Sequence, residues 1–207
     1  MKHLPAIVLM VLAVAACNLS DKFRKTSSSN SSSSSSGSEK IGGDTVEKPN
    51  PTAAQTAAIA NGREVKWDQQ GISWTLPPNW KEQTVTNDTF NYGSGDGAFL
   101  IVSISPMSAD FPTEISLRAF HEGAKVREKN GQVDELKWLE LDGARGVEFR
   151  ESKPQMADDI RRLQWMTYRK YAGQTQLVNF ILSTSGGKFD KHQDELYGIL
   201  YSTKIVH

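Results

Sequence analysis

Residues 98–105 form the most constraining stretch of this chain. Ala98, Leu100, Val102 and Ile104 alternate onto one face, while Phe99 and Ile101 occupy the other, which turns polar at Ser103 and Ser105. A strand apolar on most of both faces belongs inside a sheet covered on two sides. The flanking sequence supplies neighbours for it. Ile72, Trp74 and Leu76 alternate with Ser73 and Thr75 over 71–76, Pro77-Pro78 ends that run, and Phe90 and Tyr92 follow at spacing two beyond the polar stretch 84–89. The cluster Gly93, Gly95 and Gly97 reads as a turn leading into residues 98–105.

A helix is predicted over 114–129. Thr113 or Ser116 would cap it and Asn130-Gly131 would stop it in the left-handed region. Leu117, Phe120 and Ala124 make its apolar stripe. Residues 135–141 and 144–150 flank Asp142-Gly143, a strong hairpin signal, with Val147 and Phe149 on one face and Glu148 and Arg150 on the other. After a loop over 152–159, a second hairpin of 162–171 and 174–184 turns at Ala172-Gly173. Gly186-Gly187 leads to a final helix over 188–200, and 202–206 can add a short edge strand. Strands, helix, two hairpins and helix, with no βαβ repeat, give an α+β fold: an antiparallel sheet flanked by helices.

Ile72-Ser73-Trp74-Thr75-Leu76-Pro77-Pro78-Asn79-Trp80 resembles the opening strand of the PsbP-like superfamily. The strand at 98–105, the helix entered by Ser116-Leu117 with Phe120, the Leu141-Asp142-Gly143 hairpin, the strand pair 162–184 and the closing helix fit the same layout. The resemblance spans about residues 66–206 and implies a PsbP-like α/β/α sandwich. It also implies a domain that binds protein and carries out no reaction, since the superfamily includes photosystem subunits, a Ran-binding protein, secretion chaperones and mycobacterial lipoproteins.

The chain begins with Lys2, an almost wholly apolar run at 4–13, and Val14-Ala15-Ala16-Cys17. The apolar run is well short of the roughly 20 residues a membrane span needs, and it fits an export signal. Val14-Ala15-Ala16-Cys17 resembles the lipobox of bacterial lipoproteins, which implies cleavage after Ala16 and acylation of Cys17 with palmitate-class chains. Two or three such chains hold a protein stably to a bilayer where one does so only marginally. A plain secretory leader with an incidental cysteine is the alternative. Asn18 after the lipidated position favours the outer membrane by the sorting rule of enteric lipoproteins. Residues 17–62 read as a disordered linker, nearly all serine over 26–38, with a short helix at 53–60 and glycosylated serines as alternatives. Three regions result: a leader at 1–16, the lipidated linker at 17–62 and a globular domain at 63–207.

Lys plus Arg and Asp plus Glu number 24 each, so the chain has no basic excess with which to bind nucleic acid. Cys17 has no second cysteine to pair with, and the fold needs no disulfide. No metal-ligand pattern surrounds His121 or His192, which read as surface or flanking histidines, and His207 is terminal. The glycines at 93, 95 and 97 lack the spacing and the following helix of a dinucleotide loop. Asn87, Asp88 and Asp96 are an oxygen-rich set without the regular spacing of a calcium loop. Ser183 and Ser185 define no triad. Arg161-Arg162 reads as solvated surface. Of Trp67, Trp74, Trp80, Trp138 and Trp165, some belong to the core and others can line a binding patch.

These readings predict a lipid-anchored envelope protein with a non-catalytic protein-binding or scaffolding domain, no cofactor, no metal and no catalytic residues. The alternative is a small-ligand or metal-binding module, or an enzyme whose residues meet only in the fold.

Overall fold

The computed structural model describes residues 40, 41 and 44–206. The leader, Cys17, Asn18, the serine run and His207 lie outside the described residues. The strands are β1 (Lys40–Ile41), β2 (Asp44–Glu47), β3 (Arg63–Trp67), β4 (Ile72–Leu76), β5 (Lys81–Val85), β6 (Thr89–Gly93), β7 (Phe99–Met107), β8 (Val133–Leu141), β9 (Ala144–Glu151), β10 (Ile160–Tyr171), β11 (Gln174–Ser185) and β12 (Lys204–Ile205). The helices are α1 (Ala53–Ile59), α2 (Thr113–Lys129) and α3 (Gly186–Tyr201).

Nine strands form one sheet in the order β1-β2-β8-β9-β10-β11-β7-β6-β5, and β12-β4-β3 form a second. Only β2 and β8 run parallel; the other neighbours in both sheets are antiparallel. The expected mixed α+β architecture is therefore present, a large sheet flanked by helices. The two hairpins turn where the sequence places them. Asp142 and Ala172 take positive φ of 46° and 48°, and Gly143 and Gly173 follow at 87° and 79°. A two-residue turn with both φ positive matches the twist of the strands it joins.

The central strands carry a core on one face. Leu163, Trp165, Val178, Phe180, Leu182, Leu100, Val102 and Phe90 are buried against the small sheet and α3. Trp67, Trp74, Trp80 and Trp165 are fully buried there. Trp74 meets Phe90 at 4.5 Å between ring centroids, and Trp165 meets Phe180 edge-on at 5.1 Å. Three indole N–H groups donate inside the fold: Trp67 to the Thr86 carbonyl at 2.8 Å, Trp80 to Glu195 Oε1 at 2.9 Å and Trp165 to the Leu139 carbonyl at 3.1 Å. A buried indole needs such a partner, and only Trp74 Nε1 lacks one among the described residues. Trp138 is buried on the opposite face, stacked on His121 at 4.7 Å. The expected Trp-lined surface patch is thus absent, because all five indoles are interior.

Several boundaries differ from the sequence reading. The domain extends N-terminally of residue 63. Val46 and Glu47 of β2 pair with Trp138 and Leu139, and Val46 is buried beside Leu117 and Val147. A capping box between Thr52 and Gln55 opens α1, which packs on α3. Residues 44–47, expected in the disordered linker, therefore hold a strand, and the short helix at 53–60 given as the alternative there is present as α1. β3 and β5 are additional strands. Pro112 occupies the N-cap of α2 and no side chain caps it, so neither Thr113 nor Ser116 does so. Gly186 and Gly187 form the first turn of α3, packed against Pro154 and Ala157.

Gly198 sits where α1 crosses α3, and a Cβ there would lie 2.6 Å from the Gln55 carbonyl oxygen. Gly198→Ala should cost about 1–3 kcal/mol by overpacking and lift α1 off the domain. Limited proteolysis checks this: cleavage within 48–62 should accelerate while the sheet stays intact.

Candidate functional site

The two faces of the large sheet are covered unequally. α2 rests mainly on β8, β9 and β10, and of β11 Leu177 packs beside its Ala124. Beyond it, β10, β11, β7 and β6 present half-buried side chains to the outside: Gln164, Asn179, Ile181, Ile101, Ser103 and Asn91. The register places Gln164 opposite Ile181, Ile181 opposite Ile101 and Ile101 opposite Asn91. The alternation that buries Leu100, Val102, Phe180 and Leu182 dictates this outward set, since successive strand residues point to opposite faces. None of β11, β7 and β6 contains a charged residue. Phe99 is 37% exposed and Ile160 46% exposed at one end of this area. At the other end stand the rings of Phe111, Tyr168 and Phe120, with Tyr168 5.4 Å from Phe111 and 6.4 Å from Phe120. Beside them a cavity of about 380 Å³ is lined by Phe111, Thr113, Tyr168, Lys170 and Thr175. Gln164 Nε2 donates to Asn179 Oδ1 at 2.7 Å across β10 and β11, and Asn91 Oδ1 is buried without a partner among the described residues. An uncharged strip of amides, hydroxyls and apolar side chains across four strands has the chemistry of an interface core, from which charged residues are depleted.

Charge is concentrated instead beneath α3. Glu148 is 0% exposed, and Lys137, opposite it on β8, places Nζ 3.1 Å from Glu148 Oε1. Lys137 is the one group paired with Glu148 among the described residues; no other side chain or backbone N–H hydrogen-bonds to its oxygens. Lys137 Nζ donates to Glu135 Oε1 at 2.8 Å and to the Tyr201 hydroxyl at 3.2 Å. Tyr197 donates to Glu135 Oε2 at 2.8 Å, and Arg150 lies 2.9 Å from the same oxygen. Burial pushes the Glu148 carboxyl up to about 7, although Lys137 pulls it down. Burial opposes the charge on Lys137, but Glu148 and Glu135 outweigh it and hold the ammonium well above its usual range. Burial, then Glu148, raises the Tyr201 phenol to about 12. Arg161 extends the network. It is buried, and its guanidinium lies over Phe189 at 4.4 Å and pairs with Asp134 Oδ2 at 2.6 Å. The expectation of a solvated Arg161 is thus corrected: it shares the face of β10 that carries Leu163 and Trp165, which α3 covers.

The histidines are also interior. His121 is sandwiched between α2 and Trp138, with Nδ1 3.5 Å from Glu122. His192 is 4% exposed on α3, with Nε2 3.1 Å from Asp96 Oδ2 and Nδ1 3.6 Å from Glu195 Oε1. Neither is a surface histidine, because each lies on the sheet-facing side of its helix. Asp96 accepts from Ser94 Oγ at 2.7 Å, a bond that with Lys191 and His192 lowers its carboxyl pKa against a modest burial effect. This cluster pins the 93–97 turn and Trp80 to α3. Asp88 accepts from Thr86 Oγ1 at 2.7 Å, and the Asn87 carbonyl accepts from Gln70. Asn87, Asp88 and Asp96 each have their own partners. Among the described residues no three His, Cys, Asp or Glu are placed to hold a metal ion, and Ser183 and Ser185 meet no histidine.

No protein-family model matches the chain, and no curated protein matches it by sequence. Solved structures do match. LpqN of Mycobacterium tuberculosis is 14% identical over 70% of this chain and 86% of its own, with a TM-score of 0.50. Cyanobacterial PsbP (CyanoP) from Synechocystis sp. PCC 6803 is 15% identical over 71% of this chain and 94% of its own, with a TM-score of 0.47. The Ran-binding protein Mog1p of Saccharomyces cerevisiae is 14% identical over 70% and 96%, with a TM-score of 0.40. The fold is similar to that of LpqN. At these identities the likeness concerns the fold alone.

Within this fold, the buried pair of Lys137 and Glu148 has a directly measurable effect. Removing one member of a buried ion pair leaves the other uncompensated, whereas replacing both with apolar groups is often neutral. Lys137→Met should therefore destabilise the domain by about 3 kcal/mol at about pH 8, where Glu148 is ionised, and by much less at about pH 5.5, where it is neutral, and adding Glu148→Leu should recover most of the loss at the higher pH. Urea unfolding of the wild type, the single variant and the double variant measures both effects.

Proposed function

We propose that this chain is a lipid-anchored protein of the bacterial envelope whose domain binds another protein on the uncovered half of its large sheet and carries out no reaction. One observation carries the binding part: β11, β7 and β6 are free of charge along an outward face that, among the described residues, α2 reaches only at its margin. An antiparallel sheet face left in water normally alternates to polar and charged side chains, and a contiguous uncharged area there marks an interaction surface. Here they carry Asn91, Ser103, Asn179 and Gln164 around Ile101 and Ile181, groups that a partner can satisfy by hydrogen bonds and apolar packing together.

The envelope part rests on the leader and on Val14-Ala15-Ala16-Cys17, with Cys17 the acylated residue and Asn18 favouring the outer membrane. It accords with LpqN, a protein of the same fold class involved in cell envelope biogenesis. Among the described residues no helix is long and apolar enough to cross a membrane, and in this reading the acyl chains on Cys17 supply the membrane attachment.

A photoreactive amino acid at Ser103, compared with one at Glu122 on the exposed side of α2, tests the binding face in cells. One dominant protein adduct at Ser103 and none at Glu122 is the expected outcome; equal labelling at both positions would remove the basis for this face. The anchor is tested separately. Cys17→Ser should leave the leader uncut or release the protein from membranes under alkaline washing, while the Ser103 adduct persists in lysates containing the partner.

A further inference from the structure

The charged network under α3 has no part in the binding face, which lies on the other side of the sheet. Glu148 stands at the centre of this network. From β8 it faces Lys137 and Glu135, from β9 its neighbour on the same face is Arg150, from α3 it faces Tyr197 and Tyr201, and Glu47 of β2 adds a further negative charge. Trp165 is its cross-strand partner on β10. The local balance is unfavourable to an ionised Glu148. Lys137, the one cation paired with it among the described residues, is shared with Glu135 at 2.8 Å and with the Tyr201 hydroxyl, and no other donor reaches the Glu148 oxygens there. A neutral carboxyl in the same place needs no counter-charge.

We infer that Glu148 is a proton-operated clamp on the C-terminal half of α3: with Glu148 protonated the helix end is held firmly on the sheet, and with Glu148 ionised it opens more readily. Tyr197 and Tyr201, which bond Glu135 and Lys137 beside Glu148, lie in the last two turns of α3. Lifting that end lets water reach the carboxylate, which is where an ionised Glu148 gains most. The direction follows from linkage. The carboxyl binds its proton more tightly when covered, up to about 7, than when hydrated, near 4.5. Opening therefore becomes easier as pH rises between those two values and levels off above the higher one. A domain held outside the cytoplasm would experience the pH of its surroundings directly, so the clamp would couple the order of α3 to ambient pH.

Amide hydrogen exchange of the full-length protein, corrected for intrinsic rates, tests this. Between about pH 5.5 and about pH 8 the protection of amides 194–202 should fall by about 30-fold, while central amides of β10 and β11 keep theirs. Glu148→Gln mimics the protonated form, so its α3 amides should stay protected at both pH values. A titration of the Glu148 carboxyl carbon by NMR in the unmodified protein should have its midpoint near 7, and it needs no variant to fold. A midpoint in the ordinary carboxylate range would overturn the inference. So would α3 protection that is independent of pH, protection that changes equally throughout the domain, or pH dependence that survives in Glu148→Gln.

Discussion

The fold depends on the burial of one face of the large sheet against the small one. Trp67 and Trp74 from the small sheet, Phe90, Trp165 and Phe180 from the large one, and Trp80 from the segment joining β4 to β5 meet there. Full burial of side chains this large is the main favourable term available to a domain of this size, at about 25 cal/mol per Å² of apolar surface. Each indole also presents an N–H that must be satisfied, and the partners fix the surrounding chain. Trp67 bonds the Thr86 carbonyl in the β5–β6 turn, Trp165 the Leu139 carbonyl on β8, and Trp80 the Glu195 carboxylate on α3. The aromatic core thus also determines where the β5–β6 turn and α3 sit.

Elements whose local chemistry is self-sufficient were legible in the sequence. Asp142-Gly143 and Ala172-Gly173 specify hairpins because their turn geometry asks for positive φ, and the alternation of 98–105 reflects a strand inside the sheet, between β11 and β6, with one face in the core. The resemblance of 72–80 to a PsbP-like opening implied the same sandwich. β5, by contrast, reads Lys-Glu-Gln-Thr-Val and lies at an edge of the sheet, where polar residues are tolerated on both faces and leave no period to detect. β2 offers one buried side chain, Val46, and its pairing exists only because β8 supplies an edge far along the chain. Such long-range pairing leaves no local trace.

The candidate sites show the same limit more sharply. Alternation correctly separates Val147 and Phe149 from Glu148 and Arg150, but it cannot say which layer covers each face. Charged residues on a strand suggest water, and here the water side is occupied by α3. Lys137, Glu148 and Arg161 are interior for that reason, as is His192 on the helix that covers them. The open face erred in the opposite direction: Ile101 and Phe99 beside Ser103 suggested a covered strand, and α2 stops short of it.

These two departures are connected. α3 crosses the core face of β10 and β11 and continues toward β8 and β9, so its sheet-facing residues must accommodate Leu163 and Trp165 at one point and Glu135, Lys137 and Glu148 at another. It does so with Phe189, Leu196 and Leu200 for the apolar part and Tyr197 and Tyr201 for the charged part, since a phenol offers a ring to the core and a hydroxyl to the ions. A buried carboxylate with one shared cation contributes little to stability and more to the sensitivity of its surroundings. On the other face, the neutral strip lacks any device that would keep a second surface away. The domain thus confines its charge where a proton can modulate it and exposes neutral surface where another protein can be matched.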